Sequence, residues 1–216
     1  MSTHKRILDT NKNLVVARYK QGIRLVKPDS SAEGALCSVA SIFDLPVPAY
    51  FYDTDSNFIK TNEKLAKMVA AESAADVQGR NPSAFCSREF SEKIFAIDEN
   101  VIRNQSMAMV EEVGHRSDEF LIQCMSLKLP WYHDDKIVGL LCFSIHTDNH
   151  SLSEFSGRMS CLLATGLMGS TTHIQSTAMP RIQLGNVYLS NRESEILSHV
   201  TRGRTAKNLG ELSKII

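Results

Sequence analysis

The sequence predicts an α+β domain followed by a short all-α segment. Three observations carry that prediction. Between Leu45 and Asp148, short runs rich in Tyr, Phe, Ile and Val alternate with turn residues in the order strand, strand, helices, then three strands. Within that order, Ser87 to Arg103 places Phe90, Ile94, Ile97 and Val101 along one side of a long helix. Finally, Leu189 to Ile216 divides at Gly203 into two short helical patterns, the arrangement of a helical hairpin.

Along the chain, Met1 to Pro28 is basic and weakly periodic, and Pro28-Asp29-Ser30-Ser31 is a break. Ala32 to Phe43 places Leu36, Val39, Ala40 and Phe43 at spacings that predict a leader helix, so residues 1–43 read as an N-terminal extension. Ala49 to Asp53 has strand character, Asp53-Thr54-Asp55-Ser56-Asn57 is turn chemistry, and Phe58-Ile59-Lys60 returns as a second strand. Asn62 is positioned to cap a helix carrying Leu65, Met68 and Val69. Short helical pieces are expected around Ala75–Val77 and Ser83–Cys86. Three strands follow the long helix, at Ser106–Val113, Phe120–Leu129 and Lys136–Thr147, with Asp134-Asp135 turning the last hairpin.

Beyond Asp148, Leu152, Phe155, Met159, Leu162 and Gly166 form a seam suited to a dimer or signalling helix over residues 149–169. Residues 170–188, rich in Ser, Thr, Pro and Gly, read as a linker. In the last segment, 189–216, Ser190 and Glu193 make a capping box, and Glu193 and Glu195 suit the positive end of the helix dipole. Ile196, Leu197 and Val200 form its apolar stripe; Thr205 can cap the second helix, with Leu209 and Leu212 buried.

Composition bounds the function classes. The 216 residues suit one or two domains, and 43% apolar with 22% charged residues is ordinary for a globular chain. No apolar run reaches membrane-spanning length, and Lys5 and Arg6 are not followed by the apolar core of a signal peptide, so a cytoplasmic protein away from membranes is expected. Cys37, Cys86, Cys124, Cys142 and Cys161 are an odd, scattered set without a CxxC pair, which fits reduced thiols and gives no metal-ligand spacing. No phosphate loop or nucleophile–base arrangement is present, and the pairs His115/Asp118 and His133/Asp134 have no catalytic context, so the chain does not read as an enzyme. Charge is uneven: Asp44 to Asp148 has 10 Lys/Arg against 17 Asp/Glu, Met1 to Phe43 has 7 against 3, and Arg181 to Ile216 has 6 against 3. An acidic middle with a basic end fits a sensor joined to a nucleic-acid module.

Two resemblances sharpen this. "LPVPAYFYDTDSNFIKTNEKLAKM" and "LKLPWYHDDKIVGLLCFSIHTD" resemble the opening and the closing hairpin of PAS domains, and the order of elements over residues 44–148 is similar to theirs. The resemblance implies a five-stranded antiparallel sheet with helices on one face, enclosing a pocket or forming a dimer surface. The pocket lining expected here is Tyr50, Tyr52, Phe85, Phe90, Ile94, Met125 and Phe143. A small apolar ligand would suit it. Gly79-Arg80-Asn81 matches the flavin-binding LOV subgroup, but Pro82 stands where that subgroup has its reactive cysteine, so a flavin–cysteine adduct is not expected. Haem is not expected either, because Ser83 to Arg103 contains no His.

"LSNRESEIL…RGRTAKNL" resembles the LuxR-type helix-turn-helix, through Leu189, Ser190, Arg192, Glu193, Glu195, Ile196, Leu197, Gly203, Thr205, Lys207 and Leu209. Asn208 and Gly210 depart from that pattern, and Gly in a helix interior costs about 1 kcal/mol relative to Ala. The resemblance implies a recognition helix after Ile216, and base contacts specify sequence. Arg202, Arg204 and Lys207 are the candidate phosphate contacts, with DNA binding expected to be lost or impaired in this chain and retained only by an intact helix-turn-helix. The whole reads as a PAS-containing LuxR-family regulator that pairs through the helices flanking the PAS domain. The alternative is a PAS interaction module that modulates full-length relatives without binding DNA.

Overall fold

A computed structural model describes residue 8 and residues 14–28, 34–147, 152–168, 183–184 and 187–188. Two compact units divide near Ile145.

In the first unit the strands are β1 (Val15–Tyr19), β2 (Gly22–Val26), β3 (Ala35–Ser38), β4 (Ala49–Asp53), β5 (Phe58–Thr61), β6 (Ala108–His115), β7 (Leu121–His133) and β8 (Lys136–His146). The helices are α1 (Val39–Phe43), α2 (Glu63–Met68), α3 (Ala74–Val77) and α4 (Arg88–Asn104), with a 3-10 turn at Pro82–Ala84. The order β5-β4-β8-β7-β6 makes a five-stranded antiparallel sheet, and α2 to α4 cover one of its faces. The expected α+β architecture is therefore what the chain adopts.

Local chemistry explains these elements. The Asp53 carboxylate accepts the backbone N–H of Asp55 at 2.9 Å and of Asn57 at 2.8 Å, which closes the β4–β5 turn. Asp134 and Asp135 both take positive φ, 46° and 63°, as a tight hairpin turn matched to strand twist requires. Ser87 caps α4 by accepting the N–H of Phe90, and Gln105 ends the helix in the left-handed conformation.

Asn62 does more than cap α2. Its Oδ1 accepts from Leu65 N and from Ala49 N, both at 3.1 Å, while its Nδ2 donates to the Val47 carbonyl at 2.8 Å. One buried amide thus joins α2 to the start of β4. Asn62→Ala is expected to cost about 2 kcal/mol, because a cap and two buried backbone partners lose their hydrogen bonds together. Urea denaturation checks this; a loss under about 0.5 kcal/mol, as for an ordinary surface substitution, would show that the amide joins nothing.

The N-terminal extension departs from expectation. No helix runs from Ala32 to Phe43: β3 occupies 35–38 and α1 only 39–43. β1 and β2 form a hairpin through Lys20-Gln21, β3 pairs with β1, and β2 runs parallel to the end of β7 through Ile23↔Trp131 and Arg24↔Tyr132. The extension is therefore a three-stranded continuation of the central sheet. Ser38, which accepts the N–H of Ser41, starts the helix after the strand. Pairing of Val15↔Ser38 and Val16↔Cys37 overrides the helical spacing of the apolar residues.

Both faces of the sheet are buried. Tyr50, Tyr52, Cys124, Leu140 and Cys142 pack towards the helices with Phe58, Phe85, Phe90 and Ile94. On the other face Phe51 meets Trp131 edge-on at 5.1 Å and Phe43 at 6.0 Å.

In the second unit, α5 (Leu152–Ala164) forms where the seam was expected, and Phe155, Met159 and Leu162 of that seam are buried. The segment 183–188 contains a minimal hairpin, β9 (Gln183–Leu184) with β10 (Val187–Tyr188), inside the expected linker. Residues 189–216, with Arg202, Arg204 and Lys207, lie outside the described residues.

Candidate functional site

Strand parity decides which side chains face the helices. The register pairs Glu112↔Cys124, Val110↔Ser126 and Ala108↔Lys128 between β6 and β7, and Tyr50↔Cys142 between β4 and β8. Even-numbered residues of β6, β7 and β8 therefore point to the helical side. That places Glu112, Cys124, Ser126, Lys128 and Ser144 in the interior beneath α4.

These residues form one continuous polar chain. Lys128, 0% exposed, donates from Nζ to Asp98 Oδ1 on α4 at 2.6 Å. Asp98 Oδ2 accepts from Ser56 of the β4–β5 turn at 2.7 Å. On its other side Lys128 Nζ lies 3.0 Å from Glu112 Oε1, while Ser126 donates to Glu112 Oε2 at 2.5 Å. Ser144 Oγ is 2.9 Å from Ser126 Oγ and 3.1 Å from the Tyr50 hydroxyl. Ser126 spends its only proton on Glu112, so Ser144 donates to Ser126 and Tyr50 donates to Ser144. The chain is polarised towards the Glu112 carboxylate, and each link strengthens the next in a low-dielectric interior.

The protonation states follow from burial and charge. Burial pulls the Lys128 ammonium down, but Asp98 and Glu112 outweigh it and hold the group well above the ordinary lysine value, so it is a cation. Burial pushes the Asp98 carboxyl up, against the opposing pull of Lys128 and Ser56. Tyr50 and Cys142 are raised by burial, and burial lifts Cys86 to about 11, so the interior thiol at Cys86 is not a thiolate at neutral pH.

A small cavity of about 30 Å³ adjoins this chain, with room for a water molecule or two. Five of the seven expected lining residues, Tyr50, Tyr52, Phe85, Phe90 and Ile94, stand on its wall. Met125 and Phe143 do not: their odd parity turns them to the opposite face of the sheet, where they are buried. The polar members Glu112, Cys124 and Ser144 line the cavity and were not anticipated. The sequence does signal two charged partners of this chain, Asp98 and Lys128. Asp98 interrupts the apolar stripe between Ile94 and Val101, and Lys128 sits alone in the apolar run Leu127 to Trp131. Among the described residues no cluster of three or more His, Cys, Asp or Glu has metal-binding proximity, and no helix is long and apolar enough to cross a membrane.

Sheet order, helical cover and interior cavity define a PAS fold. A solved structure of a LOV protein from Rhodobacter sphaeroides superposes with a TM-score of 0.50 at 11% identity, over 81% of this chain and 93% of that one. The PAS domain of a LuxR-family transcriptional regulator from Burkholderia thailandensis, in complex with ethanol, aligns with a TM-score of 0.42 at 15% identity, over 50% of this chain and 94% of that one. The Vibrio cholerae VqmA dimer, described as a LuxR-type receptor, aligns with a TM-score of 0.45 at 20% identity. The match covers 50% of this chain and 49% of the VqmA chain, so the likeness spans about half of that receptor. No family model and no curated protein matches the sequence.

Proposed function

We propose that the chain is the sensory part of a LuxR-type transcription regulator, a non-enzymatic PAS module that takes a small molecule between α4 and the sheet. One observation carries this reading: a buried chain of ion pairs and hydrogen bonds runs from Ser56 to Tyr50 and reaches the cavity through Glu112, Ser144 and Tyr50. Such a cluster is a poor source of stability, since a buried ion pair is commonly replaceable by apolar packing without loss. Its position at the cavity wall fits recognition, where a few polar groups orient a ligand among apolar ones. The cavity of about 30 Å³ is smaller than any metabolite, so a ligand enters by displacing α4 or its side chains. That displacement is the signal.

Output follows from the C-terminal resemblance. In an intact helix-turn-helix, Arg202, Arg204 and Lys207 supply phosphate contacts to DNA. The test has two arms. A thermal-shift screen of metabolite-sized compounds against residues 1–216 is expected to yield hits that raise Tm in the wild type and lose that effect in Tyr50→Phe, which removes the terminal donor. When the module is joined to an intact helix-turn-helix, the same hits are expected to change its affinity for DNA in a mobility-shift titration at fixed salt. Hits that act equally on both variants would contradict binding at this chain of hydroxyls. Unchanged DNA affinity would contradict the regulatory output.

A further inference from the structure

Glu112 borders two spaces. One is the small cavity; the other is a groove of about 460 Å³ between α4 and β6, walled by Phe90, Ile94, Ile97 and Val113. The two are separated by Phe90, Ile94 and Glu112, which line both.

The charges around this groove are mostly spoken for. Lys93, at its rim, is paired with Glu89 at 2.7 Å. Glu111 accepts from the Gln123 amide at 3.2 Å. Lys128 is matched by Asp98 at 2.6 Å. Two carboxyl groups, Asp98 and Glu112, thus share one ammonium. The Glu112 side chain is 5% exposed. Oε2 is taken by Ser126, but Oε1 accepts no hydrogen bond: it lies 3.0 Å from the Lys128 ammonium without the alignment of one. A buried carboxylate oxygen with an unfilled acceptor, at the wall of an apolar groove, is a site for a charged donor.

We infer that the α4–β6 groove binds a small organic cation, an aryl- or alkylammonium, whose ammonium donates to Glu112 Oε1 and whose apolar body lies against Phe90, Ile94, Ile97 and Val113. This rests on the sensory reading and names its ligand class. An ammonium donor completes the unfilled acceptor. An anion of the same shape meets Glu112 and Glu111 and is rejected.

Isothermal titration of residues 1–216 with phenethylammonium tests this, alongside its neutral and anionic analogues 2-phenylethanol and phenylacetate. Phenethylammonium is expected to bind, with both analogues weaker by about tenfold or more. Glu112→Gln is expected to weaken the ammonium by about tenfold or more, and to leave the alcohol nearly unchanged. Ile97→Trp fills the groove without touching the polar chain and is expected to weaken the ammonium as well, which keeps the test decisive if Glu112→Gln fails to fold. The inference is overturned if the alcohol binds as tightly as the ammonium, or if neither variant weakens it. A DNA response to other compounds, with no ammonium binding, overturns the ligand class alone. Ammonium binding that leaves DNA affinity unchanged supports the site while overturning the regulatory reading.

Discussion

Lys128→Met is expected to lose about 3–5 kcal/mol of unfolding free energy at neutral pH, the largest effect of any single change to the interior. The side chain has similar length, so packing is nearly kept. The charge is not. Asp98, 1% exposed, loses the donor at 2.6 Å, and Glu112 loses the ammonium at 3.0 Å. Two carboxylates then share a dry space, and each must be protonated or draw in water. The loss is expected to shrink as pH falls, because protonation removes the uncompensated charge. The charge-free triple variant Asp98→Asn, Glu112→Gln, Lys128→Met should recover most of it.

The wild type has its own pH signature. Asp98 is raised in the folded state, so the folded chain binds more protons than the unfolded chain just above the ordinary aspartate pKa. Stability therefore falls as pH rises through that window. Lys128 is also raised, so its contribution is fully present below the ordinary lysine pKa and is lost as pH climbs towards the folded value. Urea denaturation across pH reads both. A Lys128→Met variant within about 1 kcal/mol of wild type at neutral pH would mean that the cation is not paired in the interior.

Gly22→Val is the second large effect, expected at about 3 kcal/mol. A Cβ at Gly22 would lie 2.0 Å from the Pro130 carbonyl oxygen, and backbone cannot yield as a flexible side chain can. This contact is where β2 meets β7, next to Ile23↔Trp131. The substitution therefore tests whether the N-terminal strands are part of the folded unit. Two outcomes differ sharply. A single destabilised transition means that β1–β3 unfold with the core; unchanged stability of the core, with local loss of protection at 15–26 in hydrogen exchange, means that they are an appendage.

How far the sequence could be read varies with the type of signal. Elements marked by side-chain chemistry came through closely. Ser87 set the start of α4, Asn62 that of α2, and Asp134-Asp135 the last turn, because caps and turns are local events. The N-terminal hairpin was missed because its turn is Lys20-Gln21, with Lys20 in the left-handed region at φ 51°, and carries none of the usual Gly, Asn or Asp. Its existence depends on long-range pairing with β7, which no local pattern announces.

The candidate site divides in the same way. Aromatic and aliphatic lining was legible from composition and spacing, and Tyr50, Tyr52, Phe85, Phe90 and Ile94 meet at the cavity. Met125 and Phe143 were misplaced because β7 and β8 are buried on both faces, so hydrophobicity gives no parity. The polar chain needs four strands and a helix brought together. Lys128 and Asp98 are 30 residues apart and Tyr50 and Ser144 are 94 apart, separations across which a pattern reading has no reach.

The most direct test of the buried charge chain is nitrogen-detected magnetic resonance of the Lys128 ammonium in the 216-residue protein at neutral pH. A protonated, slowly exchanging ammonium that disappears in Lys128→Met and shifts in Asp98→Asn is the expected result. An ammonium exchanging like a free surface lysine, or an uncharged amine at that position, would contradict the account of this interior and the sensing role built on it.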